Sequence, residues 1–80
     1  MKVCMHEADG KITLETVATE GADPADYPTI CVEDANGERT FSVSWAVLTP
    51  TAAGVSVLMT LADGQARAFV GARAARVIRQ

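Results

Sequence analysis

The sequence is short of the side chains that enzymes use for acid–base and nucleophilic chemistry. Its 80 residues include one histidine, two cysteines and four aromatic side chains. A catalytic base at His6 would lie two positions from Cys4 near the start of the chain, and no phosphate-cradling glycine loop or Ser-His-Asp arrangement accompanies it. A chain of this length buries only roughly 60% of its unfolded surface, which leaves little room for a deep cleft. We therefore expect a non-enzymatic protein that needs no cofactor.

Long apolar runs and cysteine frameworks are also missing. No run approaches the ~18 apolar residues of a membrane span, and the polar residues 1–7 lack the apolar stretch of a secretory signal, so we expect a cytoplasmic protein with no membrane contact. Cys4 and Cys31 are too few for a disulfide framework and are expected to be thiols. Because the Cys-x-x-Cys spacings of structural zinc sites are absent, a metal site built from these two cysteines and His6 is not expected.

One turn signal recurs at a constant interval. Ala8-Asp9-Gly10, Ala35-Asn36-Gly37 and Ala62-Asp63-Gly64 place their glycines 27 residues apart. Asp-Gly and Asn-Gly between alternating apolar segments are strong hairpin signals, because the favoured tight turn needs positive φ angles. The sequence therefore predicts three successive hairpins, which pair residues 2–7 with 11–18, 29–34 with 38–48, and a strand from Val55 with 65–70.

The second strand of the second hairpin has the cleanest alternation and is predicted to be central to the core. Its apolar face is expected to carry Phe41, Val43, Trp45 and Val47. In the third hairpin Leu58 falls on the outer face, which indicates that the C-terminal segment or a second subunit covers this face.

The remaining segments complete an all-β prediction. Residues 19–28 are rich in proline and acids and are expected to form the longest loop. After Gly71 the chain either forms a short strand or a single helical turn that would align Arg73, Arg76 and Arg79. We expect one domain over residues 1–80, a small antiparallel barrel or sandwich of about six strands.

Charge divides unevenly along the chain. Residues 1–39 hold nine acids against three bases, a net charge of −6, whereas residues 40–80 hold Asp63 against four arginines, a net charge of +3. This division permits one acidic and one basic face, suited to head-to-tail contacts or to an anionic ligand on the arginine side. The alternative is that the charges only solvate the surface.

Residues 29–78 resemble a WYL domain, an SH3-like or Sm-like β-module of bacterial transcription regulators and some defence-associated proteins. The likeness is carried by Ile30-Cys31-Val32-Glu33-Asp34 before Asn36-Gly37-Glu38-Arg39-Thr40, by Val47-Leu48, and by Leu61-Ala62-Asp63-Gly64 followed by Arg67-Ala68-Phe69 and Arg73. The Trp-Tyr-Leu triplet of the family is replaced here by Gly54-Val55-Ser56-Val57. The resemblance implies an effector or nucleic-acid sensor whose ligand groove is lined by Arg67 and Arg73.

The residues themselves also suggest an anion site on the arginine side. Arg67 and Phe69 share a strand face, where an arginine can bind phosphate and an aromatic ring can stack on a base. The alternative is that Phe69 belongs to the core and Arg67 pairs with Glu38 or Asp34. The expected ligand is a nucleotide or single-stranded nucleic acid, and its candidate site residues are Arg67, Phe69, Arg73 and Arg76.

A second hypothesis is a small protein-interaction module. Short length, an acidic first half and open sheet edges suit a phage- or plasmid-borne inhibitor of a host protein, or a homodimeric adaptor. The candidate contact residues for such a partner are Glu33, Asp34 and Glu38.

Overall fold

The computed structural model describes residues 1–79, and they form an antiparallel sheet of seven strands that curls into a half-barrel. In chain order the strands are β1 (Lys2–Ala8), β2 (Lys11–Val17), β3 (Thr29–Asp34), β4 (Gly37–Thr51), β5 (Gly54–Leu61), β6 (Ala66–Ala72) and β7 (Ala74–Arg79). The all-β prediction is confirmed. Within residues 1–79 no helix is long and apolar enough to cross a membrane.

Strand β4 is central to the sheet because it is long enough to pair with three other strands. Its first part pairs with β3, its second part pairs with β5, and residues 45–48 also pair with β2. The chain then continues through β6, which pairs with β5, and β7, which pairs with β3. Since only Arg73 separates β6 from β7, these two strands bring the ends of the curled sheet together.

The core lies on the concave side of the sheet, which we call the inner face. Direct cross-strand partners share a face, so one inner row runs through Leu14, Ala46 and Met59, all of them buried. Ile30 and Val32 of β3 and Val43 of β4 are also fully buried. The opposite side is called the outer face.

The apolar alternation of β4 does not keep one face in the core along its whole length. Ser44 is an extra residue, since Val43 pairs with Leu61 and Trp45 pairs with the next residue, Thr60. Such a bulge reverses the faces that follow it. Ala46 and Leu48 are therefore in the core, and the expectation that Trp45 and Val47 continue the buried face is wrong.

The bulge is held by its own hydrogen bonds. The hydroxyl of Thr16 donates to the Ser44 carbonyl oxygen at 2.8 Å, and the Ser44 hydroxyl donates to the Thr60 carbonyl oxygen at 3.3 Å. These contacts tie β2, β4 and β5 together where the sheet bends. The apolar alternation of the sequence does not predict these hydrogen bonds.

The turns and the loop follow their local sequences. At the first turn both Asp9 and Gly10 have positive φ, whereas at the second and third turns only Gly37 and Gly64 do. The predicted loop contains a short 3-10 turn, Pro24–Asp26. The carboxylate of Asp23, which precedes the turn, accepts a hydrogen bond from the Ala25 N–H, and the Asp26 carboxylate accepts one from the Asp23 N–H.

The C-terminal segment is the strand β7, so the alternative of a helical turn is not adopted. A further difference lies between the second and third predicted hairpins. Strand β4 extends through Pro50 to Thr51, and Thr51 pairs with Gly54, so β4 and β5 also form a hairpin. The prediction of about six strands thus becomes seven.

Candidate functional site

The predicted ligand residues converge on the last two strands. Arg67 and Phe69 pair with Met59 and Val57 of β5 and therefore share the inner face of β6, as their spacing predicts. Arg67 is exposed, whereas Phe69 is half-buried and packs against the core. Arg76 lies on the outer face of β7, opposite Cys31, and so does not join them on that face.

The ring of Phe69 is already covered by groups of the protein. It packs against Phe41 with ring centroids 5.7 Å apart, and the guanidinium of Arg39 lies 5.0 Å from its centroid. The cation on the ring is thus Arg39 and not Arg67. Sequence reasoning missed Arg39, because β4 and β6 are not hydrogen-bonded neighbours and no spacing along the chain links these two residues.

The acids predicted as partner contacts lie beside arginines. Asp34 accepts a hydrogen bond from Arg39 at 2.7 Å, and Glu38 lies 3.6 Å from Arg76. Glu33 pairs directly with Glu38 across the β3–β4 ladder. At this end of the sheet, acids of the first half of the chain therefore lie close to arginines from both halves.

Asp34 is held in its charged form. The backbone N–H of Asn36 donates to its carboxylate, and the Arg39 guanidinium adds a second hydrogen bond, so the pKa of Asp34 is lowered. The charge of Arg73 contributes in the same direction. Asp34 is consequently a fixed negative charge beside the arginines at neutral pH.

Two arginines of the candidate site differ from the others. Among residues 1–79, neither Arg67 nor Arg73 lies within 4.0 Å of a carboxylate, whereas Arg39 and Arg76 do. Arg67 donates a hydrogen bond to the Gln65 side-chain oxygen at 3.2 Å. The expected alternative of an Arg67 pair with Glu38 or Asp34 is not formed.

A shallow cavity lies next to this region. Its volume is about 270 Å³, and its lining residues are Pro24, Thr40, Phe41, Ser42, Leu61, Ala62 and Asp63. Arginine and lysine are absent from these lining residues, so the cavity itself offers no charge that would bind an anion.

The thiols and the single histidine do not form a metal site in the part of the chain that is described. Cys4 is exposed on β1 and Cys31 is buried on β3. Across residues 1–79, no three His, Cys, Asp or Glu side chains are close enough to hold a metal ion.

Strand β6 lies at one exposed edge of the sheet. Among the described residues it pairs only with β5, and its residues 66–68, 70 and 71 are all exposed. Val70 is 94% exposed. On the outer face, Ala68 lies directly beside Leu58, which is 50% exposed and is not covered by β7. The edge therefore combines backbone N–H and C=O groups that are unpaired within residues 1–79 with small and apolar side chains.

The backbone of this edge is oriented for further pairing. The Leu61 N–H donates to the Gln65 oxygen, and in the same register Arg67 and Phe69 direct their backbone groups to β5. Because these groups alternate along a strand, Ala66 and Ala68 direct theirs away from β5. A bulge at residues 70–71, opposite the shift between Val55 and Val57, ends this regular stretch.

Comparison of the chain with protein-family models, with curated proteins and with solved structures finds no match.

Proposed function

We propose that the protein is a non-enzymatic binding module that holds a protein partner by adding a strand of that partner to the open edge of β6. The observation that carries the proposal is the exposure of this edge, where the outward backbone groups of Ala66 and Ala68 have no strand of residues 1–79 beside them. An extended segment that binds along such an edge gains main-chain hydrogen bonds, and the protein that binds it needs little rearrangement.

The side chains of β6 are compatible with this role. Natural edges are commonly protected by lysine, proline or a bulge, because an open edge pairs with other strands. Between Ala66 and Phe69 the only charged residue is Arg67, and the bulge begins at Val70. The regular stretch 66–69 is therefore available to a partner strand.

Ala68→Pro tests the proposal directly. Proline removes the outward N–H of residue 68 but leaves the β5–β6 hydrogen bonds intact, since those are made by the neighbouring residues. Ala68→Thr is the matched control, because it keeps the N–H and suits a strand. Circular dichroism of both variants verifies that the sheet is preserved.

The probe is a displayed library of extended peptides selected against the immobilised protein. We expect selected peptides to alternate apolar and polar residues and to bind the Ala68→Pro variant at least ~10-fold more weakly than the wild type and Ala68→Thr. Selection of no peptide, or equal binding to all three proteins, would contradict strand addition at β6.

A second candidate function is the binding of a nucleotide or single-stranded nucleic acid beside Arg67 and Arg73. It is favoured because, among residues 1–79, no carboxylate lies within 4.0 Å of either arginine, and it agrees with what the WYL-like residues imply. It is disfavoured by Phe69, whose ring is covered by Arg39 and Phe41, and by the fixed charge of Asp34.

Fluorescence anisotropy of a labelled single-stranded oligonucleotide distinguishes this candidate. If it is correct, binding is saturable, weakens as salt rises, and is lost in Arg67→Ala and Arg73→Ala. Lys11→Ala is the control, because it removes the same charge from an exposed residue of β2. Absence of binding at low salt, or equal weakening by all three substitutions, would exclude a specific site at these arginines.

A further inference from the structure

We propose that the strand added to β6 is the β6 strand of a second copy of this chain, so that two half-barrels join about a two-fold axis. This inference rests on the proposed function and names its partner. In a two-fold edge contact, each strand pairs with an identical strand that runs in the opposite direction, so the residues on either side of the centre must be compatible with each other. The exposed stretch of β6 meets that requirement about Ala68.

The register follows from the faces and the charge. When Ala68 lies opposite Ala68 of the second copy, Arg67 faces Phe69 of the second copy on the inner side, and Ala66 faces Val70 on the outer side. In this register no two charged side chains lie directly opposite each other across the joint. Centring on Arg67 would instead place two like charges directly opposite each other, which is destabilising.

The outer face gives a second reason why the partner strand should carry small apolar residues. Leu58 lies directly beside Ala68, so the pairing produces a row of Leu58, Ala68, Ala68 and Leu58 across the joint. A strand with small apolar residues at these positions keeps charged groups out of this row. The second copy supplies those residues in the required order.

The backbone geometry agrees with this register. Ala68 directs its N–H and carbonyl away from β5, so two copies exchange both hydrogen bonds at the two-fold axis. Regular pairing is centred on residues 67–69 of both copies and ends where the bulge begins at Val70. Beyond the bulge, the backbone N–H of Arg73 is bonded to the Glu33 oxygen.

Sedimentation equilibrium of the whole chain tests the dimer. At concentrations up to about 1 mM we expect a species of twice the 8.4 kDa chain mass that dissociates on dilution. Ala68→Lys places two ammonium groups opposite each other and should give the single-chain mass, while the control Ala52→Lys, in the exposed β4–β5 turn, should sediment like the wild type. A single-chain mass for the wild type at every concentration, or a dimer that survives Ala68→Lys, overturns the proposal.

Spin labels test the register independently of dimer strength. In a Cys4→Ser background, nitroxides at Ala68→Cys would have Cα atoms about 5.5 Å apart, whereas at Ala66→Cys they would be about 14 Å apart. We expect the strongest dipolar broadening at position 68 and its loss on dilution with unlabelled protein. Equal broadening at 68 and 70 indicates a centre at Phe69 and overturns the register proposed here.

The two proposals fail separately. If the chain remains monomeric but selected peptides bind in a manner sensitive to Ala68→Pro, the second copy is the wrong partner and strand addition at β6 is supported. If the chain dimerises equally well in the Ala68→Lys and Ala68→Pro variants, β6 is not the dimer contact and the second-copy proposal is overturned, while peptide binding to Ala68→Pro still decides strand addition.

Discussion

At the scale of single residues, the end of the sheet near the β3–β4 turn is organised by Arg39. Its guanidinium binds the Asp34 carboxylate and also covers the ring of Phe69. One side chain thus neutralises an acid and shields an aromatic ring. The ring is consequently less available for stacking on a base than the sequence suggests.

The lowered pKa of Asp34 predicts how this contact depends on pH. A carboxyl whose pKa is lower in the folded than in the unfolded state stabilises the fold at neutral pH, and this contribution is lost as the pH falls through the folded-state pKa. Asp34→Asn should therefore lower the urea midpoint at about pH 7, and the difference from wild type should shrink between about pH 5 and pH 2.

Two further variants control this measurement. Arg39→Ala should show a smaller pH trend than Asp34→Asn, because it removes the hydrogen bond and charge of Arg39 but leaves the Asn36 N–H, which is the largest cause of the lowered pKa. Arg76→Ala removes the longer, exposed contact with Glu38 and should change the midpoint less. An equal difference between Asp34→Asn and wild type at both ends of the pH range would show that the charge of Asp34 contributes nothing.

Gly54 is expected to be the glycine least tolerant of substitution. It has a φ of +135°, and a Cβ at this position would collide with the carbonyl oxygen of Ala72. Gly54→Ala should therefore cost about 3 kcal/mol or more of unfolding free energy. Gly64→Ala is the control, because its φ is +94° but nothing lies within 4 Å of the added Cβ, and it should cost only about 1–2 kcal/mol. Equal losses in denaturant unfolding would rule out the collision as the cause.

At the scale of elements, the bulge at Ser44 determines which side of β4 faces the core. The second half of the strand reads as apolar at Trp45 and Val47, yet Ala46 and Leu48 are the buried residues. The residues displaced to the outer face are Trp45 and Val47, and Val47 pairs with Leu58 of β5. The bulge therefore adds two large apolar side chains to the outer face.

Paired lysine substitutions test the face reversal. Ala46→Lys places a charge at a position with no solvent exposure and should prevent folding, whereas Val47→Lys should leave the circular dichroism spectrum unchanged and lower stability by at most about 2 kcal/mol. Simple alternation predicts the reverse order of these two effects. A folded Ala46→Lys variant together with an unfolded Val47→Lys variant would show that the bulge is absent.

At the scale of the whole molecule, stability is expected to be uneven. Strand β1 pairs only with β2, and all of its side chains except Val3 are exposed. In contrast, β3 contributes Ile30, Cys31 and Val32 to the buried set and pairs on both sides. The β1–β2 hairpin is thus an extension of the half-barrel, and β3 and β4 belong to its centre.

Amide hydrogen exchange should reveal this division. Amides of β1 that are bonded to β2 should exchange by local opening at least ~100-fold faster than those of Ile30 and Val32, which need global unfolding. The rates are measured by NMR at one pH and temperature. Equal protection of β1 and β3 would mean that β1 is covered in solution or unfolds together with the core.

The sequence by itself determined the local features of this protein. Asp-Gly and Asn-Gly turns and period-two alternation act between neighbouring residues, so the hairpin β1–β2, the strand β3 and the loop before it were predicted close to their observed bounds. The shared face of Arg67 and Phe69 followed from the same period.

Only the tertiary structure decided which strands meet beyond the three predicted hairpins and what each face contacts. The bulge at Ser44, the Arg39 contact with Phe69 and the pairing of β7 with β3 depend on residues far apart in the chain, and no local pattern encodes such contacts. The open edge of β6 is of the same kind. Whether a strand has an open edge depends on the positions of all the other strands, so it is decided only when the whole sheet has formed.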